Sequence, residues 1–194
     1  MSDKRKIILV TDGDEVARRT VELAARNIGA RCISQSAGQP SPLMGEQLVH
    51  LIKMAPHDPV VVMCDDCGKA GQGRGEEVLA YLANHPDLEV LGVLAVASNT
   101  EQAQGLEVQQ SLACNGQLVS GPVDKYGYPP LSDHARLIGD TVEVLNKLKI
   151  KNVLGIGDIG KMEAADEPAA GAPITTRALQ EILARSGYTH GQAH

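Results

Sequence analysis

The sequence predicts an α/β fold: a three-layer αβα domain built on a mainly parallel sheet, with one β-hairpin excursion. Short, continuous runs of β-branched residues alternate along the chain with segments that repeat apolar residues at helical spacing. Such runs are typical of strands that helices cover on both faces. Acidic or hydroxyl-bearing residues directly follow several of these runs, at the strand ends where α/β sheets carry their ligand sites.

The first half of the chain alternates regularly between the two kinds of element. Apolar residues recur at helical spacing from Val16 to Ile28, and Gly29 and Pro56 stand where the first and second helices are expected to end. The predicted elements are a strand at 6–11, a helix at 16–28, a strand at 31–34, a helix at 42–54 and a strand at 58–63.

In the second half, a glycine-rich loop at 68–75 precedes the next predicted helix. Asn115-Gly116 separates two short runs and predicts a hairpin, whereas the three prolines between 120 and 136 predict irregular structure. Asp140 can cap a helix that runs to Lys149. The predicted elements are a helix at 76–84, a strand at 88–97, hairpin strands at 106–112 and 117–119, a helix at 140–149, a strand at 151–156 and a helix that starts at 175 or 176 and ends at 185.

Length and composition favour one globular domain. The chain has 194 residues and a formal net charge of −6. We expect a single α/β domain of Rossmann-like or Toprim-like layering over residues 1–187, followed by a disordered tail at 188–194. The four Tyr are accompanied by no Phe and no Trp. So few aromatic rings, together with the negative charge, argue against a surface that binds nucleic acid.

No segment of the sequence predicts export or membrane insertion. The apolar run 7–10 near the N-terminus is too short for a secretory signal, and the longest apolar run, 90–97, is far too short to span a membrane. Four cysteines in a chain of this length do not indicate a disulfide framework. We therefore expect a soluble protein in a reducing cytoplasm.

Acidic residues cluster just past the predicted strands. They are Asp12, Asp14, Asp65, Asp66 and Asp158. If those strands are neighbours, the carboxylates converge and repel one another, so that one of them is protonated or a hard cation, Mg²⁺ or Ca²⁺, lies among them. The alternative is structural, because Asp and Gly are common in strand-to-helix turns and Asp14 can cap the first helix.

Two enzyme families share parts of this arrangement. The run from Asp12 to Val16 resembles the Asp-x-Asp start of haloacid-dehalogenase-type phosphatases, in which the first Asp is the nucleophile and the second the acid/base. It departs from them because the helix begins too early for their usual flap. With Asp65 and Asp66, the same residues resemble the acidic site of the Toprim fold, without its leading Glu. Either resemblance implies a Mg²⁺-dependent phosphoryl-transfer or hydrolytic enzyme.

A second group of residues favours an anionic ligand. The glycine-rich loop offers backbone N–H groups, two cations and the start of a helix, and two polar residues follow the fourth predicted strand. The predicted ligand-binding residues are Lys69, Gly71, Gly73, Arg74, Ser98 and Asn99. The alternative is a surface loop without a ligand.

Segments spread over nearly the whole chain are similar to one family. They are residues 7–14, 31–38, 55–63 with 65–66, 81–86, 121–125, 155–161 and 171–176. Together these segments resemble the soluble subunit of stage V sporulation protein AE from spore-forming Firmicutes, and the similarity extends to about Arg185.

The resemblance implies a non-catalytic soluble component of the machinery that moves dipicolinic acid, chelated with Ca²⁺, into the developing spore and out of it at germination. It implies partners among the membrane and soluble subunits of the same operon, a place at the spore inner membrane, and calcium dipicolinate as a candidate ligand. A homo-oligomer is compatible with it. No catalytic residue follows from the resemblance.

Overall fold

A computed structural model describes residues 4–67, 73–100, 103–132 and 135–189. Within these residues the strands are β1 (Arg5–Val10), β2 (Arg31–Cys32), β3 (Val60–Met63), β4 (Leu88–Val96), β5 (Gln110–Leu112), β6 (Leu118–Ser120) and β7 (Val153–Ile156). The α-helices are α1 (Glu15–Asn27), α2 (Gly45–Met54), α3 (Arg74–Ala83) and α4 (Pro173–Ser186). All seven strands form one sheet in the order β2-β3-β1-β4-β7-β5-β6, and every neighbouring pair except β5 and β6 is parallel.

The sheet is covered by helices on both faces, as the continuous apolar runs predict. Side chains of β1 alternate between two apolar clusters because successive residues of a strand point to opposite faces. Ile8 and Val10 share one cluster with residues of α1 and α4, whereas Ile7 and Leu9 share the other with residues of α2 and α3. The predicted three-layer αβα fold is therefore confirmed.

The predicted hairpin is also confirmed, and it belongs to the main sheet. Strands β5 and β6 are antiparallel, and Gly116 in the turn between them has a φ of +78°, a conformation that glycine adopts without steric cost. Strand β5 pairs in parallel with β7, with Ser111 opposite Gly155. The hairpin thus extends one edge of the sheet.

The predicted helix over 140–149 is wrong. Only a 3₁₀ helix forms there, at Glu143–Asn146. In an α-helix capped by Asp140, the N–H of Val144 would donate to the carbonyl of Asp140. It instead donates to the carboxylate of Glu76 in α3, at 3.2 Å. A tertiary hydrogen bond therefore takes the donor that the first helical turn needs.

Several other predicted elements are shorter than expected, above all the first hairpin strand, predicted at 106–112 and found at Gln110–Leu112. Strand β2 ends at Cys32, because the chain turns into a 3₁₀ helix at Ser34–Ser36. Helix α2 begins at Gly45, three residues after the predicted start.

A crevice is expected at the carboxyl ends of β1 and β3. These two strands are neighbours, but the chain leaves β1 for α1 on one face of the sheet and leaves β3 for α3 on the other. Parallel sheets hold their ligands at such a reversal. The acidic residues that follow β1 and β3 lie at this point.

Candidate functional site

Two of the predicted acidic residues share one lysine. The Nζ atom of Lys161 lies 2.9 Å from Oδ2 of Asp14 and 3.0 Å from Oδ1 of Asp158. Asp14 also caps α1, since its Oδ1 accepts a hydrogen bond of 2.7 Å from the N–H of Ala17. An internal cation therefore neutralises much of the charge of Asp14 and Asp158.

Asp12 lies buried at the centre of the acidic residues. Its Oδ1 accepts a hydrogen bond of 2.7 Å from the N–H of Gly13. Burial raises the pKa of Asp12 well above its usual range, and the nearby charges of Asp14, Asp65 and Asp158 raise it further. The residues that follow β1, β3 and β7 thus bring their carboxylates close enough to interact, and both effects shift Asp12 towards its protonated form.

Asp65, after β3, is a second buried acid. Its Oδ1 accepts a hydrogen bond of 3.1 Å from the N–H of Cys67, while its Oδ2 accepts none from the described residues. Burial raises the pKa of Asp65 to about 7, and the neighbouring carboxyl group of Asp140 adds to the shift. Protonation would make the Asp65 carboxyl group a hydrogen-bond donor.

Asp66 binds the start of α3. Its Oδ1 lies 2.5 Å from the N–H nitrogen of Gly75 and its Oδ2 lies 2.9 Å from that of Glu76. Burial raises the pKa of Asp66, and these two hydrogen bonds oppose the shift. Two N–H groups at the start of α3, where the sequence suggested a bound anion, therefore already donate to a carboxylate of the chain itself.

The carboxylate of Asp66 also affects the pKa of Glu76. Burial raises the pKa of Glu76 to about 7, and the charge of Asp66 contributes to the shift. The Oε1 atom of Glu76 accepts the hydrogen bond from Val144. This buried acid therefore ties α3 to the 3₁₀ helix at Glu143–Asn146.

The predicted ligand-binding residues fall into three groups. Lys69 and Gly71 lie outside the described residues. Gly73 and Arg74 lie at the start of α3, and a Cβ on Gly73 would come within 2.2 Å of Asp66 Oδ1. Ser98 and Asn99 follow β4 and line an open cleft of about 760 Å³ together with two cations, Lys125 and Arg136.

The five predicted metal ligands do not form one metal-binding group. Asp14 and Asp158 share Lys161, and Asp66 binds α3. In the part of the chain that the structure describes, no three His, Cys, Asp or Glu side chains are placed to hold a metal ion. Binding of Mg²⁺ or Ca²⁺ at this edge stays a prediction.

Sequence analysis did not select three residues that shape this edge of the sheet. Lys161 lies three residues after Asp158, a spacing that could have indicated the ion pair. Glu76 and Asp140 carry no such local signal, because the groups that they face come from distant parts of the chain.

The glycines of the run Gly155-x-Gly157-x-x-Gly160 have packing roles. A Cβ on Gly155 would lie 2.1 Å from Ser111 Oγ, and one on Gly157 would lie 2.7 Å from the backbone N of Gly127. These glycines allow close approach of neighbouring segments. Packing therefore accounts for the glycines at these two positions.

Within the described residues, no helix is both long and apolar enough to cross a membrane.

Comparison with known proteins identifies the family of the chain. No curated protein matches the chain, and neither does a solved structure. A model of the family described as stage V sporulation protein AE1 matches residues 6–186, which confirms the resemblance found in the sequence. The chain therefore belongs to the stage V sporulation protein AE1 family, whose members are sporulation proteins.

Proposed function

We propose that this chain is a non-catalytic component of the machinery that carries dipicolinic acid and Ca²⁺ into the developing spore and releases them at germination. The family match over residues 6–186 carries the proposal. In this role the chain acts through contacts with the membrane and soluble subunits of its own operon, at the spore inner membrane.

The partners of the carboxylates that follow β1, β3 and β7 support a non-catalytic role. Asp14 and Asp158 are paired with Lys161, and Asp66 binds the start of α3. These carboxylates have structural partners that account for their positions.

The proposal is tested by deleting the chain in a spore former. We expect the deletion strain to accumulate less dipicolinic acid in its spores or to release it abnormally at germination, and the wild-type chain to restore both. Affinity capture of a tagged chain from sporulating cells is expected to recover membrane subunits of the operon. Normal uptake and release in the deletion strain would overturn the proposal.

Calcium dipicolinate is the ligand that this function would bring to the carboxyl edge of the sheet. Isothermal titration with Ca²⁺ alone, with dipicolinate alone and with both together distinguishes binding of the cation, of the anion and of their chelate. Heat that depends on both components would show that the chelate binds. No heat in any titration would mean that the chain acts through protein contacts.

One observation favours a second function, that of a Mg²⁺-dependent phosphoryl-transfer enzyme. The charges of Asp14, Asp65 and Asp158 all act on Asp12, so that the predicted convergence of carboxylates exists. A phosphatase assay with Mg²⁺, run on the wild type and on Asp12→Asn, distinguishes the functions. Activity that Asp12→Asn abolishes would favour the enzyme, and the non-catalytic role predicts no activity in either protein.

A further inference from the structure

A cleft of about 760 Å³ lies beside the acidic residues, and two cations and one carboxylate, that of Asp124, line it. It is lined by the residues after β4 and by residues of two loop segments, 123–126 and 135–138. We propose that this cleft, defined by Ser98, Asn99, Lys125, Tyr126 and Arg136, binds a small organic anion through a carboxylate or phosphate group. This site does not depend on the function proposed above.

Neither cation of the cleft is neutralised by a salt bridge among the described residues. Arg136 donates to the carbonyl of Gly105 and to Asn146 Oδ1, at 3.4 and 3.3 Å. These contacts use two of its five N–H groups, which leaves three for a ligand. The Nζ atom of Lys125 lies 4.8 Å from the ring centroid of Tyr126, an attractive contact that leaves the ammonium hydrogens available.

Two carboxylates in the neighbourhood of Lys125 have other partners. Asp124 Oδ1 accepts hydrogen bonds of 2.9 Å from the N–H groups of Tyr126 and Tyr128. Asp158, whose pKa the charge of Lys125 lowers against the larger effect of burial, is paired with Lys161. The whole chain carries a charge of −6, which disfavours the approach of an anion. A pair of accessible cations in one cleft makes the local potential favourable for an anion.

Backbone hydrogen bonds hold both walls of the cleft in place. The N–H of Ser98 donates to the carbonyl of Ile138 at 2.8 Å, which joins the end of β4 to the segment that carries Arg136. The N–H of Asp158 donates to the carbonyl of Lys125 at 2.8 Å, which joins the opposite wall to the end of β7. The charged residues are therefore presented from anchored segments, which reduces the entropy cost of binding.

The lining indicates an organic ligand. Ala97 and Val123, each 2% exposed, are apolar lining residues, and Ser98 and Asn99 line the cleft together with the cations. The volume of about 760 Å³ falls in the range of sites for small organic molecules. An inorganic ion would leave the apolar lining unused.

The test uses isothermal titration of the full chain with benzoate, phenyl phosphate and inorganic phosphate. We expect at least one of the two organic anions to bind with a dissociation constant of about 1 mM or lower, and inorganic phosphate to bind at least about tenfold more weakly. Comparing benzoate with phenyl phosphate separates a carboxylate site from a phosphate site. Absence of binding by both organic anions, or equally tight binding of inorganic phosphate, would overturn the proposal.

Variants locate the binding. Lys125→Gln and Arg136→Gln are each expected to weaken the best probe about tenfold, because each removes one charged contact. Lys151→Gln is the matched control, since Lys151 is an exposed lysine before β7, at the amino ends of the strands. Thermal unfolding verifies the fold of each variant. Should Arg136→Gln unfold, Lys125→Gln decides, and an affinity equal to that of Lys151→Gln would contradict the assignment.

Discussion

Lys161 balances two carboxylates that follow different strands. Its ammonium group lies between Asp14, which follows β1, and Asp158, which follows β7, and it is half-exposed. Such pairs contribute little when solvent screens them, but these two carboxylates are three-quarters buried and act on the buried Asp12 as well. Loss of the lysine would leave three acids close together.

We therefore expect Lys161→Gln to lower the free energy of unfolding by about 1 kcal/mol at neutral pH. Lys161→Arg keeps the charge and should lose less. Urea denaturation measures both changes. Lys53→Gln is the control, because Lys53 makes a more exposed salt bridge with Asp87 and its loss should cost less than about 0.5 kcal/mol. Equal losses for Lys161→Gln and Lys53→Gln would contradict this role.

At the scale of secondary-structure elements, two helices are capped at their N-termini by carboxylates that lie several residues earlier in the chain. Helix α3 follows Gly73 and helix α4 follows Ala172, and neither residue offers a side-chain cap. Asp66 supplies the missing acceptor to α3, and Asp166 does so for α4. In both cases a carboxylate earlier in the chain supplies the acceptor at the start of the helix.

Asp166 is the more completely bonded of the two. It is fully buried, and its Oδ1 accepts hydrogen bonds of 2.9 Å from the N–H groups of Ile174 and Thr175. Its Oδ2 accepts from the Thr175 hydroxyl at 2.6 Å and from the N–H of Gly160 at 3.1 Å. One side chain thus joins α4 to the loop that follows β7.

We expect Asp166→Ala to destabilise the protein by about 2–4 kcal/mol, because it leaves several buried donors without an acceptor. Asp166→Asn retains the acceptor for Ile174 and Thr175 and should lose clearly less. Thermal and urea unfolding measure the loss, and circular dichroism follows the helix content. A loss below about 0.5 kcal/mol for Asp166→Ala would show that α4 does not depend on this contact.

For the molecule as a whole, the sequence was sufficient to predict the layers and most of the strands. The run from Ile7 to Val10 has a pattern of side chains that is typical of a strand buried on both faces, and Asn115-Gly116 specifies its turn locally. The helix predicted after Asp140 failed because Glu76, distant in the chain, binds the N–H of Val144. Local patterns hold where local interactions decide the structure.

The difference between local and long-range interactions also applies to the candidate site. The carboxylates at the strand ends could be predicted to meet, because parallel strands carry their carboxyl ends to one edge. The partners of these carboxylates could not be predicted, because no spacing in the sequence connects Asp65 with Asp140. Lys125 and Arg136 come from irregular segments without periodicity, and only the three-dimensional fold places them in one cleft with Ser98.

The buried acids give the whole molecule a predicted dependence on pH. The pKa values of Asp65 and Glu76, raised first by burial, are about 7 in the folded protein, whereas their ordinary values are 3.8 and 4.5. Between these limits the folded state binds more protons than the unfolded state, so its stability falls as the pH rises from about 4 to about 7. The raised pKa values of Asp12, Asp66 and Asp158 act with the same sign.

We therefore expect the free energy of unfolding to be about 2 kcal/mol greater near pH 5 than near pH 8. Asp65→Asn and Glu76→Gln should each raise stability near pH 8, because a neutral amide replaces a buried charge, and each should flatten the pH profile. Asp124→Asn, in an exposed turn, is the control and should leave the profile unchanged. Urea denaturation across this pH range measures the profile, and a wild type that gains stability towards pH 8 would show that these acids are ionised in the native fold.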